Sequence, residues 1–192
     1  MKEILLKYMA TYTSLNEEEQ QAVLDALEIQ RFEKGTSLIK QGERPSKNCY
    51  FVLKGCVRQF HVNLDGKEVT THFYTEEQAI LLFNNEAPNQ ESNYTLTCQE
   101  DCVLVVGELE SEQEMYQQYT ELETMTRRMM ENYFVQAQNE TSTFIRSSPE
   151  ERYKMIVQTR PELLTRVPQH QLASYLGMTP ESLSRIKKRI QS

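Results

Sequence analysis

Gln169-His170-Gln171-Leu172-Ala173-Ser174-Tyr175-Leu176-Gly177-Met178-Thr179-Pro180-Glu181-Ser182-Leu183-Ser184-Arg185-Ile186 fits two short helices joined by a tight turn at every position. Leu172 and Leu176, four apart, mark the inner face of the first helix, and Ala173 is small where two helices must cross closely. Gly177 stands where the chain leaves that helix, a place that favours a residue free to adopt left-handed geometry. Thr179 can cap the next helix, Pro180 suits its first turn, and Glu181 suits the positive end of its dipole. Leu183, Ile186 and Ile190 then cluster on one face at about 100° per residue. The opposite face carries Glu181, Arg185, Lys188 and Arg189, with Ser182 and Ser184 at its borders. Such a face is either the solvated side of an ordinary helical hairpin or a basic, donor-rich surface of a size to enter a DNA major groove. The agreement of the small, glycine and apolar positions favours the groove.

The charge distribution points the same way. Of a net charge of −7, residues 1–126 hold 22 acidic against 10 basic side chains, or −12, and residues 127–192 hold 6 against 11, or +5. An acidic body with a basic C-terminal piece is expected when one part meets phosphate and the other does not.

Working back from that piece, Pro149 opens a helix with Tyr153, Ile156 and Val157 apolar, and Pro161 lies near its end. From Glu112 to Arg146 there is neither glycine nor proline, so the spacing predicts one long helix over 112–146. Leu122, Met125, Met129 and Tyr133 recur at three- and four-residue steps like a short coiled-coil seam, which decays into Gln136 and Glu140. A second stripe, Met130, Phe134, Ala137 and Phe144, is placed to face the rest of the chain. One helix packed on its own domain is the plainer alternative to a dimer helix.

Upstream, Asn16-Glu17-Glu18-Glu19 has the spacing of a capping box, with Ala22, Val23, Ala26 and Leu27 following at helical period. Between Ile29 and Val106 the pattern changes to short strands: Ser37–Lys40, Tyr50–Leu53, Val57–Val62, Val69–Tyr74, Tyr94–Thr97 and Cys102–Val106. Asp65-Gly66 predicts a type I′ hairpin turn. Many short strands at regular spacing argue an antiparallel roll or barrel. The fold class expected is therefore α+β, in three parts: 1–111 a β-roll, 112–146 a long helix, and 147–192 an all-α domain.

The 39% hydrophobic content allows a substantial core, and no apolar run approaches the roughly 20 residues needed to span a bilayer. Charge enters the first seven residues too early for a secretory signal, so a cytoplasmic location is expected. Cys49, Cys56, Cys98 and Cys102 are then free thiols by default, although the acidic turn between Cys98 and Cys102 leaves a redox or metal role open. His61, His72 and His170 are too scattered to build a zinc site at recognisable spacing, and no cofactor is evident.

Leu172 to Gly177 and Thr179 to Ile186 resemble the helix-turn-helix of the Crp–Fnr family. Lys34-Gly35-Thr36-Ser37-Leu38-Ile39-Lys40-Gln41-Gly42-Glu43 and Tyr50-Phe51-Val52-Leu53-Lys54-Gly55 are similar to that family's cyclic-nucleotide-binding roll. The order of parts matches along nearly the whole chain. The resemblance implies a double-stranded β-helix as sensor, a dimerising helix at 112–146, and a DNA-binding domain at 147–192. It implies a homodimer whose two recognition helices enter successive major grooves about 34 Å apart on a pseudo-palindromic operator in double-stranded DNA. RNA polymerase is a further partner that the resemblance implies.

By that analogy Arg185 is the first choice for a base contact, since a guanidinium can pair bidentately with guanine. Glu181 can accept from a cytosine amino group, Ser182 and Ser184 are secondary, and Lys187, Lys188 and Arg189 meet phosphates. Pro180 stands where relatives place an arginine, so the operator should differ. The dimer interface is expected at Leu122, Met125, Met129 and Tyr133, and an effector pocket at Phe83, Ser92, Asn93 and Tyr94.

The departures are informative. Cyclic-nucleotide-binding members carry a Gly-Glu pair and then an arginine followed by a small hydroxyl residue, which hold ribose and phosphate. Residues 81–94 contain no glycine and no arginine, and two glutamates, so cyclic AMP in the usual pose would lack a cationic partner. Residues 1–48 contain no cysteine, which removes the family's N-terminal iron–sulfur sensor. Ser192 follows closely on the second helix, so no C-terminal wing is expected. A ligand-sensing or protein-interaction module without sequence-specific DNA binding is the alternative. No Ser/His/Asp order, metal cluster or phosphate-cradling glycine loop argues for an enzyme.

Overall fold

The computed structural model describes residues 2–44, 48–80 and 91–191. Two helices, α1 (Lys2–Tyr12) and α2 (Glu17–Ala26), precede eight strands: β1 (Glu28–Phe32), β2 (Ser37–Ile39), β3 (Asn48–Lys54), β4 (Val57–Val62), β5 (Glu68–Tyr74), β6 (Ala79–Ile80), β7 (Thr95–Cys98) and β8 (Cys102–Glu108). Six helices follow: α3 (Leu109–Gln118), α4 (Thr120–Arg146), α5 (Pro149–Thr159), α6 (Leu163–Arg166), α7 (Gln169–Tyr175) and α8 (Pro180–Gln191).

The strands form two antiparallel four-stranded sheets, ordered β1-β8-β3-β6 and β2-β7-β4-β5. Alternating side chains from both meet between them, with Ile39, Val52, Val57, Leu96 and Leu104 nearly or fully buried. This is the open roll that the strand spacing predicts, not a closed barrel. At Gly55 the chain turns at φ +110°, and a Cβ there would stand 2.6 Å from Cys102 Sγ and 2.8 Å from its Cα. Only glycine permits that approach.

Three details differ from expectation. The β4–β5 turn is not type I′: Gly66 takes positive φ while Asp65 does not. Asn63 Oδ1 accepts from the N–H groups of Asp65 and Lys67, and the Gly66 N–H bonds to the Asn63 carbonyl at 3.0 Å. That is a type I turn closed by a left-handed glycine. Second, α1 is a helix ahead of the Asn16 capping box, packed by Met9 against Val23, Leu24 and Leu122. Third, the helix expected over 112–146 breaks at Tyr119 (φ −129°, ψ 84°), which separates α3 from α4. The break folds α3 back beside α4, where the Tyr116 hydroxyl meets Thr126 Oγ1 at 3.1 Å.

Within its own chain α4 packs part of the side expected to meet a partner. Leu122 is 2% exposed inside its own chain, in the cluster with Met9, Val23 and Leu24, so it presents no surface to a second chain. Met125, Met129 and Tyr133 lie half-buried toward the roll and α1. Phe134, from the stripe expected to face the roll, is 62% exposed, and Val135 and Ile145 are exposed beside it on the outer side of α4.

Candidate nucleic-acid interface

The turn between α7 and α8 is built as the sequence requires. The Gly177 N–H bonds to the Ser174 carbonyl and the Met178 N–H to the Ala173 carbonyl, both at 3.0 Å, with Gly177 at φ +69°. This paired closure of a helix end satisfies carbonyls that would otherwise be orphaned. A Cβ on Gly177 would meet Arg152 Nη1 at 3.0 Å. Thr179 Oγ1 accepts from the Ser182 N–H at 3.3 Å, which starts α8 with Pro180 in its first turn. Leu172, Ala173, Leu176 and Leu183 are buried with Tyr153, Ile156 and Leu163 in one core. Ile190, expected on the inner face, is 38% exposed.

Glu181, Ser184, Arg185 and Lys188 come together with Pro180 around one shallow, open hollow on the outer face of α8. The Glu181 carboxyl is held below its ordinary range, first by its own backbone N–H and then by Thr179. Arg185 Nη2 rests 3.3 Å from Ser182 Oγ, so Ser182 is already occupied as cap partner and arginine support. Lys187 is half-buried on the flank. Arg189 is drawn aside by an ion pair with Glu150 on α5, which Lys154 also reaches at 2.9 Å.

Sequence reasoning missed a second set of cations, turned inward. Arg152 donates to the Phe144 and Leu176 carbonyls at 3.0 and 3.1 Å and stacks over the Phe144 ring at 3.7 Å. Arg160 Nη2 donates to the Phe73 carbonyl at 2.9 Å and to Thr75 Oγ1 at 3.2 Å. Arg166 grips Glu76 with both terminal nitrogens and reaches Glu100 through Nε at 3.1 Å. The hydrogen bonds that Arg166 donates to Glu76 and then to Glu100 raise its pKa further. The basic excess of residues 127–192 is thus divided between the outer face of α8 and anchorage to the roll.

The anchorage is apolar as well as ionic. Tyr175 on α7 packs edge-on against Phe73 at 5.4 Å, and Phe73 and Cys56 of the roll belong to the same core as the C-terminal helices. Ser174 Oγ accepts from the Thr70 N–H at 2.9 Å, along the free side of β5. His72, in the same seam, is half-buried between Tyr74 and Tyr175, with its Nε2 turned inward. Burial, and then Arg160, lower its pKa to about 4, and its Nε2 has no hydrogen-bond partner.

Of the expected effector residues, Phe83 lies outside the described residues. Ser92 is buried, with its hydroxyl given to the Tyr94 carbonyl at 2.7 Å, and its backbone bonds Gly42 and Glu43. Asn93 is exposed, and Tyr94 packs on the roll core. Cys56, Cys98 and Cys102 are buried thiols, and burial pushes Cys56 up to about 12. Among the described residues, no three His, Cys, Asp or Glu side chains are grouped to hold a metal, and no helix is long and apolar enough to cross a membrane.

Residues 29–119 match the model of the cyclic nucleotide-binding domain family. The chain as a whole has the fold of Crp–Fnr regulators. FixK2 from Bradyrhizobium japonicum superposes with a TM-score of 0.68 over 86% of this chain and 84% of its own, at 15% identity. The c-di-GMP responsive global regulator CLP from Xanthomonas campestris gives 0.61 over 89% of each chain, at 19% identity. The catabolite activator protein from Thermus thermophilus gives 0.52 over 94% of this chain and 85% of its own, at 20% identity. No curated protein sequence matches the chain.

Proposed function

We propose that this protein is a homodimeric, sequence-specific DNA-binding transcription regulator of Crp–Fnr type, working in the cytoplasm by binding and not by catalysis. The observation that carries the reading is the exposed Glu181–Ser184–Arg185–Lys188 face, presented by a helix whose other side is locked into a core. Arg185 reads a guanine and Glu181 a cytosine, with Ser184 beside them. Lys187 and Lys188 meet phosphates, and Arg189 joins them by exchanging Glu150 for the DNA backbone.

The two-fold seam is the outer side of α4, where Phe134, Val135 and Ile145 are exposed in the single chain. Cyclic AMP in the family's usual pose is not expected to bind, because residues 81–94 supply neither glycine nor arginine to hold its phosphate. Selection of bound sequences from random duplex DNA, followed by a salt titration on the winner, tests the reading. A recurrent two-fold motif with affinity falling steeply in salt is expected. Binding to no duplex, or to all duplexes equally, overturns it.

A further inference from the structure

Between α1, the β3–β8 end of the roll and the first half of α4 lies a half-enclosed cavity of about 620 Å³. That is within the range that encloses a small organic molecule. Its walls are aromatic and thioether: Tyr8 and Tyr12 from α1, Phe51 from β3, and Met125, Met129 and Met130 from α4. Methionines are adaptable walls for an apolar guest. None of Ser92, Asn93 and Tyr94 lines it. The charged residues among the described lining are Glu28 and Glu77, and no Lys, Arg or His is present. Lys7 approaches Glu77 at 3.5 Å, beside Tyr8 at 3.4 Å, but is not itself part of the wall. An anion entering here would be desolvated against carboxylates.

The cavity is joined to the C-terminal helices by three consecutive residues. Glu77 and Gln78 line it, and Glu76 beside them holds Arg166. Gln78 Oε1 accepts from the Thr75 N–H at 2.8 Å and lies 3.5 Å from Arg160 Nη2. Glu77 sits at φ +66°, an uncommon conformation for a residue with a Cβ, so the turn is held by its surroundings.

We propose that this cavity between α1 and α4 is a binding site for a neutral or cationic, largely aromatic or aliphatic small molecule, and that occupancy acts on the C-terminal helices through the Glu76-Glu77-Gln78 turn. The regulatory half rests on the reading of the chain as a DNA-binding regulator; the binding half does not.

Two naphthylamine dyes of similar shape separate the ideas without DNA. Neutral N-phenyl-1-naphthylamine should bind saturably at one per chain, and the anionic 1-anilinonaphthalene-8-sulfonate about tenfold more weakly or not at all. With isotope-labelled methionine methyl groups in the native protein, the neutral dye should shift Met125, Met129 and Met130 and leave Met155 on α5 unmoved. Met130→Trp and, as a second blocking change, Ala79→Phe should each abolish dye binding in chains that keep their circular dichroism. The site is refuted by absence of saturable binding, by equal affinity for the two dyes, or by methyl shifts confined to other methionines. Dye binding at the predicted methionines with no affinity for any duplex DNA would keep the site and remove the regulator reading.

Discussion

Arg166 and Glu76 stand 90 residues apart in sequence and are joined by two parallel hydrogen bonds of 2.7 and 2.9 Å, across the boundary between the roll and the C-terminal helices. Burial pushes the Glu76 carboxyl up, but the bonds from Arg166 and the Gly55 N–H outweigh it and hold the pKa below 4.5. Arg166→Ala leaves Glu76 and Glu100 facing each other without a cation. Both carboxylates are about a third exposed, so water screens part of the loss, and about 1–2 kcal/mol is expected. A depressed carboxyl pKa stabilises the fold above its unfolded value and loses that contribution as pH falls through the folded value. Urea melts of the native protein should therefore weaken below about pH 4.5, and those of Arg166→Ala should weaken less steeply over that range.

His72 acts in a higher window. Its folded pKa of about 4 lies under the ordinary 6.5, so the unfolded chain binds a proton that the folded chain refuses. The stability this neutral ring provides is whole above 6.5 and drains as pH falls toward 4. The full span is worth about 3 kcal/mol. His72→Phe keeps a ring between Tyr74 and Tyr175 and removes the proton, so its stability should change little between neutral pH and about pH 5. A mutant with the native protein's slope would assign that slope to another group.

Val135→Glu places two carboxylates against each other if the outer side of α4 is the two-fold seam. Desolvation and repulsion together should cost several kcal/mol and raise the dimer dissociation constant roughly a hundredfold or more. Sedimentation velocity reads it directly. A tight dimer in the mutant would move the seam elsewhere.

Arg185 and Lys188 share the exposed face of α8 but differ in kind. Arg185→Ala should cost about 1–3 kcal/mol and relax preference at one base pair per half-site. Lys188→Ala should weaken all sequences alike and flatten the salt slope by about one per half-site. Affinities for the operator and its single-base variants over a salt series distinguish them. Identical base preference in both mutants would show that Arg185 reads no base.

The pair of helices α7 and α8 with their tight turn was legible because its determinants are local: Gly177 at the turn, Thr179 at the cap and Leu172, Ala173 and Leu183 inside. The roll was legible for the same reason, through alternating strands and glycines such as Gly55. Two things were not. The break at Tyr119 has no glycine or proline to announce it, and the Tyr116–Thr126 contact across it joins residues ten apart. The orientation of α4 follows from α1 covering Leu122, a contact over more than a hundred residues that periodicity cannot encode. The anchoring arginines escaped for a related reason: Arg160 and Arg166 look like solvated charge until Phe73, Glu76 and Glu100 are folded up to them.

Ser174 gives β5 a partner that the sheet itself lacks. As the outermost strand of its sheet, β5 has a free border, and α7 lies along it with the Ser174 hydroxyl on the Thr70 N–H. An uncovered strand border is a template for another chain. A roll cut free after residue 146 would carry that border bare, along with the Phe73 surface that Tyr175 covers. The C-terminal helices thus also shield the roll, and the roll without them should self-associate where the whole chain does not.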